Sequence, residues 1–403
     1  MPHPHAPMPE LKKKPEVFEL LYGAWQPEVK TEDVSIWEAA GRTTAEDLYA
    51  KYNQPVVRAS RMDGVAVLAE RFAAGMPDTS QWQLGTDYVR ADTGDDFDDA
   101  FDAVIQIEKV RILENGGLKF ADGVVIRKGM HIAPAGSNIK EGMLLVPAGT
   151  KLRAQDLSLI VTGGYDTVRV AKKPVISFVP TGSELVAAGA DLQRGQNFDS
   201  NSIMIKTLLT EMGAEVMLHP IIRDDPDQIA QALDELLPVS DLVILNAGTS
   251  KGGEDLCVQY LASHGTMLFH GAAAVPGRPM SITMMNGKPV LNMSGPSFAA
   301  FYTCKWLLAP IIARMLGSTE RSADRTITVT LAEDLETPPF LSLIVPLRIT
   351  PGEDGNLLAH RIVTMGRGAR PQSEALQADA WYVSSYGEAK HAAGEQIEVY
   401  PAR

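Results

Sequence analysis

Apolar and polar positions change their spacing several times along the chain of 403 residues, and each change predicts a different kind of element. Residues 34–48 carry apolar side chains at helical spacing with Asp and Glu near the start, which predicts a helix. From about residue 63 to 139, short apolar pieces are separated by Gly and Asp, which predicts a β-rich module. Residues 154–162 then predict a helix that ends at a Gly-Gly pair.

Apolar runs and amphipathic stretches alternate regularly after residue 173. Buried-strand runs occupy residues 174–179, 215–222 and 242–245, and helical spacing occupies residues 202–212 and 227–237. The order is therefore β-α-β-α-β. This order is typical of an α/β domain with a mostly parallel sheet and helices on both faces.

The rest of the chain combines further strands with two helical stretches. Residues 255–264 favour a helix, residues 266–293 favour strands joined by Pro-Gly and Asn-Gly turns, and residues 298–316 favour a long apolar helix. Residues 325–400 return to alternating strand patterns with Pro- and Gly-containing turns. We therefore predict a small C-terminal β domain.

Charge narrows the classes of partner. The chain has 50 acidic and 37 basic residues, a formal net charge of −13. A surface of this sign favours solubility and argues against nucleic acid or an anionic membrane as the main partner. A local basic pocket for a small anion is still compatible with it.

Cysteine content indicates a reduced, cytoplasmic setting. Cys257 and Cys304 are the only cysteines, and neither stands at metal-ligand spacing from a histidine, so neither a disulfide framework nor a zinc site is indicated. Residues 1–15 are rich in Pro and His and are expected to form a loose tail, and no apolar signal segment follows them. The apolar run 306–316 is too short to span a bilayer, and we predict no membrane insertion.

Two loops follow predicted strands of the α/β domain, where ligands bind in open parallel sheets. The first contains Thr181, Gly182, Ser183 and Glu184, whose flexible Gly and small hydroxyls allow a close approach to a phosphate. A plain turn with Ser183 as the N-cap of a helix explains the same residues.

The second loop, residues 246–255, follows the run that is most clearly a buried strand and opens a helix. It contains three glycines, two hydroxyls, one lysine and two acids, a combination that suits an anion cradle with a divalent cation held by Glu254 or Asp255. It has neither Walker nor dinucleotide-binding glycine spacing. A merely flexible loop is the alternative.

A third polar segment, Asp199, Ser200 and Asn201, precedes a predicted helix. Either Ser200 or Asn201 caps this helix, or the segment belongs to a ligand-binding loop together with the preceding residues 194–197.

In their order along nearly the whole chain, these segments resemble the MoeA family, the molybdopterin molybdenumtransferases related to the C-terminal part of gephyrin. The segments that carry the resemblance are residues 60–67 (SRMDGVAV), 147–150 (PAGT), 181–185 (TGSEL), 196–201 (QNFDSN), 248–255 (GTSKGGED) and 276–279 (PGRP).

The resemblance implies four domains. These are an elongated linker domain from residues 1–52 and 140–172, an inserted β-rich domain at 53–139, a three-layer α/β molybdopterin-binding domain at 173–318, and a C-terminal β-barrel at 319–403. It also implies a homodimer, with molybdoenzymes or other cofactor-synthesis proteins as candidate partners.

The implied reaction is the insertion of molybdate, or tungstate, into molybdopterin. Adenylylated molybdopterin is bound, its phosphoanhydride is hydrolysed with Mg²⁺ and release of AMP, and the metal passes to the dithiolene sulfurs. Asp63, Glu184, Asp225 and Asp255 match the family's catalytic acids, with Glu184 and Asp255 as the metal ligands.

Two of these acids have an alternative structural role. Asp63 could shape its Met-Asp-Gly turn, and Asp225 could cap the helix that follows it.

The resemblance also assigns ligand-binding residues. They are Thr93, Thr181, Gly182, Ser183, Asp199, Ser200, Asn201, Gly248, Thr249, Ser250, Lys251, Gly252, Pro276, Gly277, Arg278, Ser294 and Gly295.

Several positions depart from the family pattern and leave other functions open. Gly271 and Val275 stand where lysines are usual, and Arg278 stands in place of a third lysine. These exchanges change the local charge and the geometry of phosphate contacts. Two alternatives follow: a divergent paralogue that binds molybdopterin or a related nucleotide as a carrier or docking module without insertase activity, and a hydrolase of another nucleotide pyrophosphate.

Overall fold

The computed structural model describes residues 10–246, 256–319, 326–352, 355–363 and 371–402. The chain divides into two compact units, Glu32–Val170 in one and Met1–Thr31 with Ala171–Arg403 in the other. The boundaries of the four domains implied by the resemblance stay a prediction.

The unit Glu32–Val170 begins with extended chain where a helix is predicted. Residues Thr31–Ser35 form a strand that pairs with Thr167–Ala171, and only the single 3₁₀ turn Ile36–Glu38 follows. The predicted helix at 34–48 is therefore wrong. The pairing with a strand distant in sequence outweighs a local helical spacing that Gly41, at φ +73°, would have interrupted.

The predicted β-rich module is confirmed. Its central sheet has Gly64–Val67 between Tyr88–Ala91 and Ala103–Gln106, both antiparallel to it, and Val65 and Ile105 are fully buried. The predicted helix is present at Ala154–Thr162. The shorter elements are the strands Leu48–Tyr49, Ala59–Ser60, Val110–Ile112, Leu118–Phe120, Ile132–Ala133 and Leu144–Val146 and the 3₁₀ turns Ala69–Phe72 and Ile107–Lys109.

The other unit contains a six-stranded mixed sheet that confirms the α/β prediction. The strands are β1 (Val175–Pro180), β2 (Glu215–Leu218), β3 (Leu242–Asn246), β4 (Thr266–His270), β5 (Ser281–Met285) and β6 (Lys288–Met293). In space the order is β2-β1-β3-β6-β5-β4; β2, β1, β3 and β6 are parallel, and β5 and β4 continue antiparallel.

Helices cover both faces of this sheet because its buried strands present apolar side chains alternately to each side. In β3, Ile244 packs in the cluster with Ile205 of one helix, whereas Val243 packs in the cluster with Leu233 of another. The helices are α1 (Asn201–Glu211), α2 (Pro226–Leu236), α3 (Leu256–His264), α4 (Ser297–Thr303) and α5 (Ala309–Met315).

The segment predicted as one apolar helix at 298–316 is helical throughout but contains a π turn, Cys304–Leu308, between α4 and α5. Pro310 lacks an N–H, so the carbonyl four residues earlier loses its usual donor, and a π turn is one way to accommodate that loss.

The C-terminal β domain is a closed five-stranded barrel. Its strands are β7 (Ile327–Leu331), β8 (Ser342–Pro351), β9 (Leu357–Arg361), β10 (Ala380–Val383) and β11 (Gln396–Pro401). The ring runs β8-β9-β7-β11-β10 and returns to β8, and the short strand Ala274–Val275 pairs with the start of β8. Val329, Leu347, Ala380 and Val399 fill the interior.

A helix at Lys14–Ala24 replaces the end of the predicted tail. Pro15 stands in its first turn, where a missing N–H is tolerated, and Val17 and Leu21 are fully buried in the same core as the sheet. The remaining short elements of this unit are Leu185–Val186, Asn197–Phe198, Leu335–Glu336, Gln372–Leu376 and Lys390–His391. None of the helices in the described part of the chain combines the length and apolar character that crossing a membrane requires.

Candidate functional site at the carboxyl edge of the sheet

The turn that leaves β1 is fixed to both neighbouring strands. Thr181 is fully buried, and its amide and hydroxyl both donate to the carbonyl of Asn246, at 3.1 and 3.2 Å. The amide of Gly182 donates to the carbonyl of Ile222 at 3.0 Å. The loop therefore starts from a rigid position at the carboxyl edge of the sheet.

Gly182 is favoured by its backbone conformation, which residues with a Cβ rarely adopt. The glycine has φ +153°, and a Cβ at this position would lie 2.7 Å from Oε2 of Glu184. The carboxylate of Glu184 is thus folded over the backbone of its own turn, and the residue is exposed. After Ser183 the chain forms the short strand Leu185–Val186, so the alternative in which Ser183 caps a helix is wrong.

A second carboxylate borders the same turn. The amide of Ser183 donates to Oδ2 of Asp224 at 3.2 Å. Glu184 and Asp224 therefore place two exposed acids beside one loop. Hard oxygen ligands of this kind suit a small divalent cation that also binds substrate phosphates.

Asp225, the next residue, forms its hydrogen bonds with the helix that follows it. Its Oδ1 accepts hydrogen bonds from the amides of Asp227 at 2.8 Å and Gln228 at 3.4 Å, and Pro226 is the first residue of α2. The side chain is the N-cap of α2, which was one of its two predicted roles.

Ser200 stands at the N-cap position of α1, but the side-chain hydrogen bonds to the first turn come from Asp199. Its Oδ1 accepts from the amide of Ser202 at 3.0 Å, and its Oδ2 accepts from the hydroxyl of Ser202. Ser200 lies beside Ser297, with 3.2 Å between the two hydroxyl oxygens. With the cap supplied by Asp199, Ser200 and Asn201 face the neighbouring loops.

A buried pair of asparagines joins three segments at the edge. Nδ2 of Asn201 donates to Oδ1 of Asn246 at 2.8 Å and to the carbonyl of Gly295 at 2.6 Å. Nδ2 of Asn246 donates to the carbonyl of Ser294 at 2.9 Å. The start of α1, the end of β3 and the loop after β6 are thus held together.

Two polar atoms of this cluster have no hydrogen-bond partner among the described residues. They are Oδ1 of Asn201 and Oγ of Ser294, in residues that are 7% and 5% exposed. Buried polar atoms are usually satisfied, and an unmatched pair at a strand edge indicates where a polar ligand would be received.

The turn 276–279 lies at the same edge, because it leads into β5, whose first residue pairs with Asn292 near the end of β6. Gly277 has φ +101°, and a Cβ there would lie 3.2 Å from the hydroxyl of Thr303. The carbonyl of Arg278 accepts from the amide of Ala272 at 2.9 Å. The structure thus brings Pro276, Gly277 and Arg278 to the edge that carries the other loops.

Asp63 and Thr93 belong to the unit Glu32–Val170, unlike the residues above. Oδ1 of Asp63 accepts from the amide of Thr93 at 2.7 Å. Hydrogen bonds from the Thr93 side chain and amide hold the pKa of Asp63 below its usual value. These two predicted residues form one pair, and Asp63 is an ionised group at neutral pH.

Six predicted site residues lie outside the described residues. They are Gly248, Thr249, Ser250, Lys251, Gly252 and Asp255. Within the residues that the structure does describe, no three His, Cys, Asp or Glu side chains are grouped so that they could hold a metal ion.

Two residues that the structure places in the site, Asp224 and Asn246, are absent from the predicted ligand-binding residues, although Asn246 begins the predicted loop 246–255. The sequence does contain a signal for Asp224: only one of two adjacent aspartates before a helix-starting proline can be the N-cap, which leaves the other available for a site. It also contains a signal for Asn246, since a polar residue that ends a fully apolar strand needs a buried hydrogen-bond partner.

Known proteins resemble the chain over most of its length. The family model described as the MoeA N-terminal region (domain I and II) matches residues 13–164, and that of a probable molybdopterin binding domain matches residues 177–314. A molybdopterin molybdenumtransferase from Haemophilus influenzae is 29% identical over 300 residues, 72% of this chain and 74% of that protein. One from Staphylococcus epidermidis is 26% identical over 339 residues, 79% of each chain.

Solved structures have the same fold. The molybdopterin biosynthesis MoeA protein from Pyrococcus horikosii aligns with a TM-score of 0.78 at 24% identity, covering 98% of this chain and 100% of that one. A molybdenum cofactor biosynthesis protein from Pyrococcus furiosus aligns with a TM-score of 0.61 at 19% identity, covering 97% and 100%. The MoeA N-terminal model and the molybdopterin-binding model match in this order, and relatives named molybdopterin molybdenumtransferase match most of the chain, so the chain belongs to the MoeA family.

Proposed function

We propose that this protein is a molybdopterin molybdenumtransferase that inserts molybdate into adenylylated molybdopterin and releases AMP. The observation that carries the proposal is the carboxyl edge of the sheet, where the Thr181 turn, the Asn201–Asn246 pair and the Gly295 loop meet. The named relatives are transferases, which favours this activity over the carrier alternative.

The edge can bind an anionic pterin through matched polar groups. Oδ1 of Asn201 can accept an N–H of a pterin ring, and the Ser294 hydroxyl can donate to an oxygen. Asn201 is held by the hydrogen bond from its Nδ2 to the carbonyl of Gly295, and Ser294 is held by the hydrogen bond that its carbonyl accepts from Asn246. Ligand binding to the two remaining atoms therefore requires little reorganisation of the site.

The acids beside the Thr181 turn suit Mg²⁺. We propose that Glu184 and Asp255 hold the ion, as the family resemblance implies, and that Asp224 supports them from its position against the Ser183 amide. When bound, Mg²⁺ would neutralise phosphate charge and assist cleavage of the phosphoanhydride. The carboxylate of Glu184 lies over Gly182 and is exposed, so it is accessible to a cation.

In the same proposal Asp63 and Thr93 complete the set of functional residues. Asp63 is an anion at neutral pH, its pKa is lowered further by the hydrogen bonds from Thr93, and it can accept a hydrogen bond from substrate or water. The catalytic role that the family resemblance implies for Asp225 stays untested, and this proposal instead gives Asp225 the structural role of N-cap of α2.

The proposal also covers the oligomeric state, the partner proteins and the cellular compartment. We propose a homodimer, and molybdoenzymes or other cofactor-synthesis proteins as partners that receive the product. Two buried cysteines without a disulfide, Cys257 and Cys304, support a reducing compartment such as the cytoplasm.

The test is AMP release and metallated pterin formed from adenylylated molybdopterin, molybdate and Mg²⁺. We expect turnover by the purified protein, and a loss of about 100-fold or more in Glu184→Gln, in the range typical for removal of one transition-state contact. Glu19→Gln is the matched control, because Glu19 is an exposed acid on the helix Lys14–Ala24 of the same unit.

Binding of the adenylylated pterin, measured separately by its fluorescence, separates the competing functions. Binding without AMP release or metallated product would reject the transferase and favour the carrier. Cleavage of NAD, FAD or ADP-ribose, with adenylylated pterin left intact, would favour the hydrolase.

A further inference from the structure

A cleft of about 210 Å³ lies at the opposite, amino edge of the same sheet. It is lined by residues at the starts of three parallel strands, among them Pro174 before β1, Asp241 before β3 and Lys288 of β6. A strand of six residues spans about 20 Å, so this cleft is separated from the carboxyl edge by the length of the sheet.

The cleft is basic in an acidic protein. Its charged lining consists of four lysines, Lys30, Lys172, Lys173 and Lys288, and two acids, Glu28 and Asp241. This local excess of positive charge contrasts with the chain's net charge of −13. A cation cluster on such a background creates a local positive field that attracts small anions.

Two of the lysines have structural roles. Nζ of Lys30 donates to Oδ1 of Asp241 at 2.9 Å, while the other oxygen of Asp241 accepts from the amide of Val175 at 2.8 Å. Nζ of Lys288 donates to the carbonyls of Leu237 and Pro238, at 2.5 and 3.2 Å. Stability of the fold therefore accounts for Lys30, Lys288 and Asp241.

Lys172 and Lys173 are not explained in this way. Both are exposed, and neither ammonium group has a hydrogen-bond or ion-pair partner among the described residues. Their backbone is nevertheless fixed, since the amide of Lys172 donates to the carbonyl of Lys30 at 2.8 Å and Pro174 is buried. Adjacent cations at one cleft repel each other, and an anion bound between them would offset that repulsion.

We propose that the lysine cleft, defined by Lys30, Lys172, Lys173 and Lys288, binds a tetrahedral dianionic oxyanion such as phosphate or molybdate. Lysine ammonium groups are compact point charges that suit such anions. The volume is below the range of about 300–1,000 Å³ typical of sites for drug-sized ligands, which favours a small oxyanion over a nucleotide. The proposal is independent of the activity proposed for the carboxyl edge.

The test measures lysine reactivity residue by residue. Purified protein is acetylated to a low extent with increasing sodium phosphate, sodium molybdate, or sodium chloride at matched ionic strength, and each lysine is quantified by peptide mass spectrometry. For a bound anion we expect protection of Lys172 and Lys173 by about tenfold at a tenfold excess over Kd. Lys206 and Lys305, exposed on helical segments of the same unit, serve as internal controls.

Each outcome decides the question. Protection by phosphate, by molybdate or by both supports the site and identifies which oxyanion it prefers. Equal protection by chloride, or no selective protection of Lys172 and Lys173 by either oxyanion, overturns the proposal.

A variant pair gives a second readout that is also independent of catalysis. In Lys172→Gln/Lys173→Gln, the rise in melting temperature caused by the protective oxyanion should be smaller than in wild type. In the charge-matched control Lys206→Gln/Lys305→Gln, it should be unchanged. An equal rise in both double variants would contradict the site even if AMP release is normal.

Discussion

Gly182 occupies a position that no residue with a Cβ can take without moving its neighbour. The added carbon would lie 2.7 Å from Oε2 of Glu184, the acid proposed to hold the cation. The glycine thus leaves room for the present position of that carboxylate, and a Cβ would displace it. The buried neighbour Thr181 holds the start of the turn in place, so the exposed Glu184 side chain is the part that moves.

We therefore expect Gly182→Ala to lower AMP release by at least about tenfold, a rise of about 1.4 kcal/mol in the activation barrier. The cause is displacement of the Glu184 carboxylate, so the apparent affinity for Mg²⁺ should fall in parallel. Steady-state kinetics at varied Mg²⁺ concentration measures both.

The control for this variant is Gly23→Ala. Gly23 lies in the helix Lys14–Ala24, and a Cβ there meets nothing within 4 Å. This change should leave AMP release unchanged and raise stability by about 0.5–1 kcal/mol. Full AMP release by Gly182→Ala would show that the position of Glu184 does not matter.

At the scale of elements, two adjacent aspartates at the start of α2 have different hydrogen-bonding roles. Asp225 caps the helix, and Asp224 accepts from the Ser183 amide of the loop after β1. We expect Asp225→Ala to lower the free energy of unfolding by about 1 kcal/mol, with AMP release per folded molecule preserved. Asp224→Asn should lower AMP release and leave the free energy of unfolding unchanged, because it removes a charge beside Glu184 but no helix cap.

Calorimetry and AMP assays on the two variants distinguish these roles. If Asp225→Ala abolishes AMP release while its stability stays that of wild type, then Asp225 is the catalytic acid that the family resemblance implies, and the cap is secondary.

The barrel contains a hydrogen-bonded group that should make its stability sensitive to alkali. The hydroxyl of Tyr382 lies 2.7 Å from both Oε2 of Glu388 and Nε2 of His391. Burial, and then the hydrogen bond with Glu388, raise the pKa of Tyr382 above its usual value. The folded state thus favours the protonated phenol.

A raised pKa in the folded state contributes stability that is complete below the unfolded value of about 10 and is lost as pH rises above it. We expect unfolding free energy to fall above about pH 10, and to fall less steeply in Tyr382→Phe. That variant should also be about 1 kcal/mol less stable at neutral pH because its hydrogen bonds are gone. Urea unfolding at a series of pH values tests this, and identical slopes in both proteins would contradict it.

Elements with strong apolar runs were predictable, and those decided by distant partners were not. β1 and β3 are buried on both faces, so their sequences carry continuous apolar runs. The strand Thr31–Ser35 is only partly buried and depends on pairing with Thr167–Ala171, information that no local window contains. The cap from Asp199 was missed for a similar reason, since several adjacent polar residues could each have supplied it.

At the scale of the whole molecule, the sequence predicted which loops follow strands but not which loops share an edge. Sheet order decides that. Because β3 lies between β1 and β6, the loops that begin at Thr181 and Ser294 meet around Asn246. The contact between Asn201 and Gly295 spans 94 positions in sequence, and only the sheet order brings them together.

Homodimer formation is the remaining prediction for the whole molecule, and an exposed tryptophan offers a place to test it. Trp37, in the unit Glu32–Val170, is 91% exposed, whereas a large aromatic side chain usually buries most of its surface. We expect sedimentation equilibrium to give twice the 43.6 kDa mass of the chain. Trp37→Lys should shift the protein towards the monomer, because a buried lysine at an interface costs more than an exposed one.

Phe340→Lys is the matched control, since Phe340 is 71% exposed but lies in the other unit. It should leave the mass unchanged. A wild-type protein that stays monomeric at all accessible concentrations would reject the homodimer itself. A dimer unaffected by Trp37→Lys would instead show that the interface lies elsewhere. Trp37 would then be an exposed apolar residue of the kind that is common on protein surfaces.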